Sequence, residues 1–316
     1  MRNATDVVIT MLGSLGLQVA SRFARSLRET GAQCQLVMLM PSHAAAPPLL
    51  AALSEWRVAA HIINTRESPY AELKGNRAKL VRYWAALDYL RQHRAAHARG
   101  RVLLADSRDV IFQRDPFTIP VDHGRPLDVF MEDYFRNFGN SGINQGHVIP
   151  CFGADRVKRV LLSPPRPVSC SGITLGSYSA VSAYLNVMWT EMRRPQYSAT
   201  CLQHDQAFHN MLLWTGRLSE ESGGVRAWSN EDGPVTTIGW PQHLYRDQFG
   251  RVINRQGELV HIVHQYDRRK RLMTSLGARY ALVKQPETPP RTAAPVDTAA
   301  ELNRVASPPR KGLPDA

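Results

Sequence analysis

The sequence predicts an α/β fold in which helices flank a central β-sheet, and two observations lead to this prediction. Short apolar runs of strand length alternate with segments whose apolar residues recur at three- and four-residue spacing, the spacing of one helix face. The run at 102–105 contains no polar residue, which is typical of a strand buried on both faces inside a parallel sheet. Strands and helices that alternate at this pace indicate right-handed βαβ units.

In the N-terminal part of the chain, the patterns predict strands at 7–11, 33–40 and 58–63 and helices at 17–29 and 47–56. A turn that contains Gly13 separates the first strand from the first helix. A nucleotide can approach the backbone and the helix N-terminus at such a turn. The pattern G-x-G-x-x-G is not complete here, and ordinary turn chemistry explains the glycine equally well.

A further helix is predicted at 76–92, and Lys74, Arg77 and Arg82 cluster at its beginning. Positive charge at a helix N-terminus opposes the helix dipole unless it meets an anion. The cluster therefore indicates contact with phosphate, although Glu72 is an alternative partner for one of these cations.

Two carboxylates, Asp106 and Asp109, follow the apolar run at 102–105. Open α/β sheets bind ligands beyond the carboxyl ends of their strands, and two acids at this place can hold a divalent cation through hard oxygen ligands. The alternative is a plain turn, in which aspartate caps backbone N–H groups and pairs with Arg108.

The second half of the chain supplies further candidates. Asp205 and Gln206 lie in the first turn of a predicted helix, where an N-cap role for Asp205 is the alternative to a functional one. His264 comes directly after a predicted strand, as a metal ligand or as a hydrogen-bonded structural histidine. The other expected elements are strands at 127–131, 235–238 and 259–263, a loop at 134–150, helices at 155–162 and 178–193, and a strand, turn and second element at 168–177.

Composition restricts the class of protein and its partners. The chain has 316 residues and a net charge of +12, which favours an anionic partner, although Arg-rich solvated surface also explains the excess. The basic residues are not interleaved with aromatic ones as in nucleic-acid modules, so we expect no nucleic-acid partner. We expect one folded domain at 1–284 and a disordered tail, rich in Pro, Ala and basic residues, at 285–316.

The four cysteines are far apart in the sequence and include no C-x-x-C pair, so their spacing predicts neither a zinc site nor a disulfide scaffold. The N-terminus lacks an apolar signal stretch, and no apolar segment approaches the ~20 residues that span a bilayer. We therefore expect a cytoplasmic protein, with peripheral contact to an anionic membrane left open through the basic run at 268–271.

Several of these segments together resemble the nucleotide-sugar glycosyltransferases of the GT-A class, specifically sugar transferases with the element D-x-x-D-V-x-F-Q-x-D-P-F. Here that element is 106–117, and further similarity lies at 171–176, 204–207 and 263–268. The resemblance covers residues 7–272 and implies a GT-A-like, Rossmann-type mixed sheet flanked by helices. The usual GT-A metal motif is D-x-D, whereas this chain has D-x-x-D.

The resemblance implies a hexosyl- or pentosyltransferase that moves a sugar from a nucleotide-diphospho-sugar to a hydroxyl of a glycan or glycolipid, as in polysaccharide biosynthesis. Mn²⁺ or Mg²⁺ would stabilise the departing diphosphate. The implied roles are metal ligation by Asp106, Asp109 and His264, contact with the nucleotide or donor by Gly13, Lys74, Arg77, Arg82, Asp106, Ser107 and Gly172, and catalysis by Asp205 with Gln206. In an inverting enzyme Asp205 would be the general base.

Two other functions compete with a transferase. A dinucleotide oxidoreductase would carry an acid at the end of the second strand, whereas this strand ends in Met40, Pro41 and Ser42. A basic, inactive fold of the same kind could instead serve as an interaction protein. The sequence does not decide between retention and inversion, and it does not identify the sugar, the base or the acceptor.

Overall fold

A seven-stranded mixed sheet with helices on both faces forms the centre of the molecule, which confirms the predicted α/β class. The computed structural model describes residues 5–64, 66, 78–133, 135–240 and 244–280. The predicted tail at 285–316 lies outside the described residues. The strands are β1 (Val7–Met11), β2 (Gln35–Pro41), β3 (Val58–Ile63), β4 (Arg101–Asp106), β5 (Val110–Phe112), β6 (Leu127–Met131), β7 (Ser169–Ser177), β8 (Val225–Trp228), β9 (Val235–Thr237) and β10 (Ile262–His264).

The helices predicted at 17–29, 47–56, 76–92, 155–162 and 178–193 are present within two residues of those bounds, whereas the short helices Arg94–His97, Arg217–Ser222 and Lys270–Leu272 were not predicted. Residues 134–150 are predicted as a loop, but Gly142–Phe152 is helical, with Pro150 inside the helix. Glycine and asparagine have low intrinsic helix propensity, so the composition of this segment did not indicate a helix. The helices are α1 (Leu17–Glu29), α2 (Pro47–Glu55), α3 (Ala78–Gln92), α4 (Arg94–His97), α5 (Gly142–Phe152), α6 (Ala154–Leu161), α7 (Tyr178–Met192), α8 (Asp205–Trp214), α9 (Arg217–Ser222) and α10 (Lys270–Leu272).

The strand order of the large sheet is β3-β2-β1-β4-β7-β6-β8, and its first four strands are parallel. Alternate residues of β1 and β2 enter two different cores, because successive side chains of a strand point to opposite faces. Val7 and Ile9 pack with residues of α3 and α7. Val8 packs with residues of α1 and α2 on the other face.

Strand β7 makes the sheet mixed, because it runs antiparallel to both of its neighbours, β4 and β6. The parallel sheet that the alternation of elements indicates is therefore present only in part, and the mixed sheet implied by the resemblance is confirmed. Residues 169–177 form one long strand instead of a strand, a turn and a second element. Its pairing with β6 jumps from Thr174 to Cys170, so Gly172 lies in an irregular stretch.

A second sheet of three short strands, in the order β5-β10-β9, lies beside the end of β4. The apolar residues on either side of Asp106 and Asp109, which look like one interrupted strand, belong to two different sheets. In the small sheet β10 is antiparallel to β5 and places His264 opposite Val110. The Gln265 amide also donates to the Asp109 carbonyl at 2.7 Å. This pairing brings His264 to the aspartates.

No helix among the described residues combines the length and the apolar character needed to cross a membrane.

Candidate active site

Asp106, Asp109 and His264 converge at the carboxyl end of β4. Asp106 is the last residue of that strand, Asp109 lies in the turn before β5, and His264 ends β10. One ligand atom from each lies within 4.8 Å of the other two. The His264 Nε2 atom is 3.7 Å from Asp106 Oδ2 and 3.6 Å from Asp109 Oδ1. These are the three residues that the resemblance implies as metal ligands.

The three residues fit a divalent cation. Within the part of the chain that the structure describes, His264 Nε2 is buried and has no hydrogen-bond partner, although it points at two carboxylates. Only a glycine fits at position 172 beside these ligands, since a Cβ atom there would lie 2.6 Å from His264 Cε1 and 2.7 Å from Asp106 Oδ2. Carboxylates with one imidazole suit Mn²⁺ and Mg²⁺, with water completing the shell.

The other side of the His264 ring is held by neighbouring groups. Its Nδ1 atom lies 3.4 Å from Thr237 Oγ1 and 3.5 Å from Cys170 Sγ. Contacts of this kind fix the orientation and tautomer of a ligating histidine. Burial lowers the pKa of His264, but the Cys170 sulfur and the carboxylates of Asp109 and Asp106 outweigh this effect and hold the pKa well above its ordinary value.

Arg82 connects this group to a second carboxylate, Asp205. The two ends of its guanidinium pair with Asp106 Oδ1 at 2.6 Å and with Asp205 Oδ2 at 2.5 Å. Its Nη2 atom also donates to the Ser171 carbonyl at 3.1 Å. Burial alone would raise the pKa of Asp106, but the charge of Arg82 and the nearby His264 ring hold it well below its usual range. Arg82, predicted to meet phosphate, is thus paired with protein carboxylates.

Asp205, at the start of α8, is 3% exposed and both of its carboxylate oxygens are engaged. Oδ2 accepts from Arg82 and from the Tyr83 hydroxyl at 3.1 Å, while Oδ1 accepts from the Gln206 amide and lies 3.5 Å from Lys79 Nζ. A conventional N-cap side chain accepts from the second or third helical amide. Asp205 does not cap its helix in that way.

Glu132 is a further carboxylate of the site, and it is not among the residues that the sequence predicts to be functional. It directly follows β6, is 5% exposed, and accepts a hydrogen bond from Gln206 Nε2 at 3.0 Å. The same nitrogen donates to Asn144 Oδ1 at 3.1 Å. The sequence signal that could have found Glu132 is the one that found Asp106, an acid directly after a buried strand.

Arg82, Asp106, Glu132, Asp205 and Gln206 line one cavity of about 330 Å³, within the size range of small-molecule sites. Its lining includes these three carboxylates and the stacked rings of His147 and His204, with centroids 4.0 Å apart. The Arg136 guanidinium lies 4.7 Å from the centre of the half-exposed Trp240 ring. The cavity lining includes Lys79, Arg82, Asp106, Glu132, Arg136, Cys170, Gly172, Asp205, Gln206 and Arg268.

Other predicted residues lie next to this site or outside the described residues. Gly13 adopts φ +58° in the turn after β1, and its amide donates to the Leu39 carbonyl. The Ser107 hydroxyl donates to the Met11 carbonyl at 2.9 Å, so it connects the ends of β4 and β1. Lys74 and Arg77 lie outside the described residues. The roles expected for these four residues in binding the donor stay predictions.

Arg108 only partly matches the alternative in which it neutralises Asp109. Its Nη2 atom is 3.9 Å from Asp109, whereas its Nε atom pairs with Asp267 at 3.1 Å. The main partner of Arg108 is therefore Asp267, which leaves Asp109 facing His264.

A disulfide joins Cys151 in α5 to Cys201, and Cys34 and Cys170 are free and buried. The spacing of the cysteines did not indicate this pair, because it depends on α5 packing beside the segment before α8. The disulfide ties together the two segments that carry His147 and His204.

No family model matches the chain, and no curated protein matches it. Among solved structures, the galactosyltransferase LgtC in complex with donor and acceptor sugar analogs has a TM-score of 0.47 at 14% identity, covering 88% of this chain and 98% of that one. The glycosyltransferase GlyE of Streptococcus pneumoniae TIGR4 has a TM-score of 0.39 at 13% identity, covering 72% of this chain and 45% of that one.

Proposed function

We propose that the protein is a metal-assisted glycosyltransferase that moves a sugar from a nucleotide-diphospho-sugar to a hydroxyl acceptor. The observation that carries the proposal is the convergence of Asp106, Asp109 and His264 beside the 330 Å³ cavity at the carboxyl edge of the sheet. This edge is where open α/β folds bind nucleotides. The element at 106–117, which resembles that of GT-A sugar transferases, contributes two of the three ligands.

In this proposal Asp106, Asp109 and His264 hold Mn²⁺ or Mg²⁺. When bound, the cation supplies positive charge for the diphosphate that leaves the sugar. Arg82 keeps Asp106 ionised and aimed at the cation, because its guanidinium pairs with one oxygen and leaves Oδ2 facing His264. Gly172 lets the donor and the ligands approach the backbone of β7 closely.

The rest of the cavity supports a charged donor and a polar acceptor. Lys79, Arg136 and Arg268 line it together with Gln206 and Asn144. Cations of this kind attract a diphosphate, and amides form directed hydrogen bonds to sugar hydroxyls. A glycan or glycolipid acceptor is the second partner that we propose for this cavity.

The compartment of the protein is a separate part of the proposal. A cytoplasmic enzyme of polysaccharide biosynthesis, in peripheral contact with an anionic membrane, is the prediction from the sequence. The Cys151–Cys201 disulfide favours an oxidising compartment instead, because disulfides persist mainly in such compartments. Trapping the thiols with a maleimide reagent in intact cells would measure which state the pair occupies.

A thermal-shift screen of nucleoside diphosphates and sugar nucleotides, with and without Mn²⁺, tests the proposed function. A ligand at 100 times its Kd stabilises the native state by about 2.7 kcal/mol, so a correct nucleotide should raise the Tm in the presence of Mn²⁺. Asp109→Asn should abolish the Mn²⁺-dependent part of the rise. Asp247→Asn, in an exposed loop, is the matched control and should behave as wild type. No Mn²⁺-dependent rise with any nucleotide would overturn the proposal.

A further inference from the structure

Two carboxylates outside the metal group line the cavity, and their surroundings differ. The Asp205 carboxylate pairs with the Arg82 guanidinium and accepts hydrogen bonds from the Tyr83 hydroxyl and the Gln206 backbone amide, and Lys79 lies nearby. Both of its carboxylate oxygens already have partners within the protein, so neither is free to accept a hydrogen bond from an acceptor hydroxyl. Asp205 is therefore well placed to hold Arg82 in position and poorly placed to act as a base.

Glu132 has fewer hydrogen-bond partners than Asp205. Among the residues that the structure describes, Gln206 is the one hydrogen-bond donor to its carboxylate, through Oε1. Since Gln206 Nε2 is also hydrogen-bonded to Asn144, the amide fixes the carboxylate in one orientation on the cavity wall. The other oxygen, Oε2, has capacity left to accept a proton.

We propose that Glu132 is the catalytic base that takes the proton from the attacking hydroxyl. This inference rests on the proposed glycosyl transfer. The acceptor oxygen forms a bond to the anomeric carbon while its proton passes to Glu132. The bond from that carbon to the diphosphate oxygen breaks, and its electron pair leaves on the diphosphate. A single displacement of this kind inverts the configuration of the sugar.

The electrostatic surroundings of Glu132 agree with this role. Burial raises its pKa, and this outweighs the Gln206 hydrogen bond and the opposing charges that face it, those of His264, Arg268 and Arg136. The buried Cys170 thiol also lies close enough to interact with it electrostatically. A base with a raised pKa accepts a proton more readily.

The test measures nucleoside diphosphate release from a panel of sugar nucleotides with Mn²⁺, using water or simple sugars as the acceptor. With the donor that wild type cleaves fastest, Glu132→Gln should be at least about 100-fold slower, the usual contribution of a general base. Its affinity for the nucleoside diphosphate, measured by calorimetry, should match wild type. Asp133→Asn is the matched control, because Asp133 is an equally buried neighbour whose side chain accepts from the Phe135 amide.

Azide separates a base from a structural residue, because it attacks without losing a proton. With Glu132→Ala it should restore nucleoside diphosphate release and form a glycosyl azide, whereas Glu132→Ala in water should stay slow. In wild type the rate should fall as the pH drops through the pKa of Glu132, and this acidic limb should disappear in Glu132→Gln.

The possible failures can be told apart. If wild type releases nothing across the panel, the proposed function is overturned and the assignment of Glu132 with it. If Glu132→Gln is as fast as wild type while Asp205→Asn has lost the acidic limb, the base is Asp205 and the inference is wrong. A transfer product with retained configuration would also overturn it.

Discussion

Gly172→Ala offers the sharpest test of the metal group, because it changes only the space beside two of the three ligands. A Cβ atom at this position would lie 2.6 Å from His264 Cε1, whereas ordinary contact begins at 3.4 Å, so the ring must move by about 0.8 Å. Metal sites tolerate deviations of only about 0.2 Å in ligand distance. His264 is 1% exposed and Thr237 and Cys170 contact its other side, so the ring has little room to move away.

Two losses should result from this substitution. Overpacking in a filled interior costs about 1–3 kcal/mol in the free energy of unfolding. For the unit Met1–Leu282, an unfolding entropy of about 2.1 cal/mol/K per residue converts this to a Tm lower by about 2–5 °C. Mn²⁺ affinity should fall about 10–100-fold, as it does when groups that orient a ligating histidine are disturbed.

Gly176→Ala is the matched control on the same strand. Its Cβ atom would lie 2.6 Å from the Pro126 carbonyl oxygen, so it overpacks the fold to a similar degree away from the cation site. Calorimetric titration with Mn²⁺ and thermal melts of both variants measure the difference. If Gly172→Ala binds Mn²⁺ as wild type does, or if the two variants lose affinity equally, these three residues do not form a metal site.

The remaining predictions concern buried charge. Arg82→Met leaves Asp205 without the guanidinium that neutralises it, so its free energy of unfolding, measured by urea melts, should fall by about 3 kcal/mol. Arg82→Lys keeps the positive charge and should lose less. Equal losses in the two variants would contradict the ion-pair argument. Burial lowers the pKa of His209 to about 4, whereas the unfolded chain takes up this proton near pH 6.5. The free energy of unfolding should therefore fall by up to about 3 kcal/mol as the pH drops from 6.5 to 4. In His209→Gln the free energy of unfolding should depend less on pH, which urea melts at pH 7 and 4.5 would measure.

The sequence predicted the strands of the parallel half well because each is a short apolar run between clear breaks. Strands β1, β2 and β3 lie within two residues of their predicted positions. It also indicated Asp106 as a candidate, because an acid directly after a buried strand must lie at the sheet edge. Helix α5 was missed, because local propensity disfavours helix in its glycine- and asparagine-containing segment and tertiary packing overrides that preference.

The sequence by itself determined the α/β class and the place of the two aspartates, since both depend on patterns within a few residues. Only the tertiary structure decided which distant residues join them. His264 reaches Asp109 through the antiparallel pairing of β10 with β5, and Arg82 reaches Asp106 and Asp205 from helix α3. The sequence also did not predict that Asp205 has more hydrogen-bond and ion-pair partners than Glu132. Such contacts depend on packing between elements that are remote in the chain.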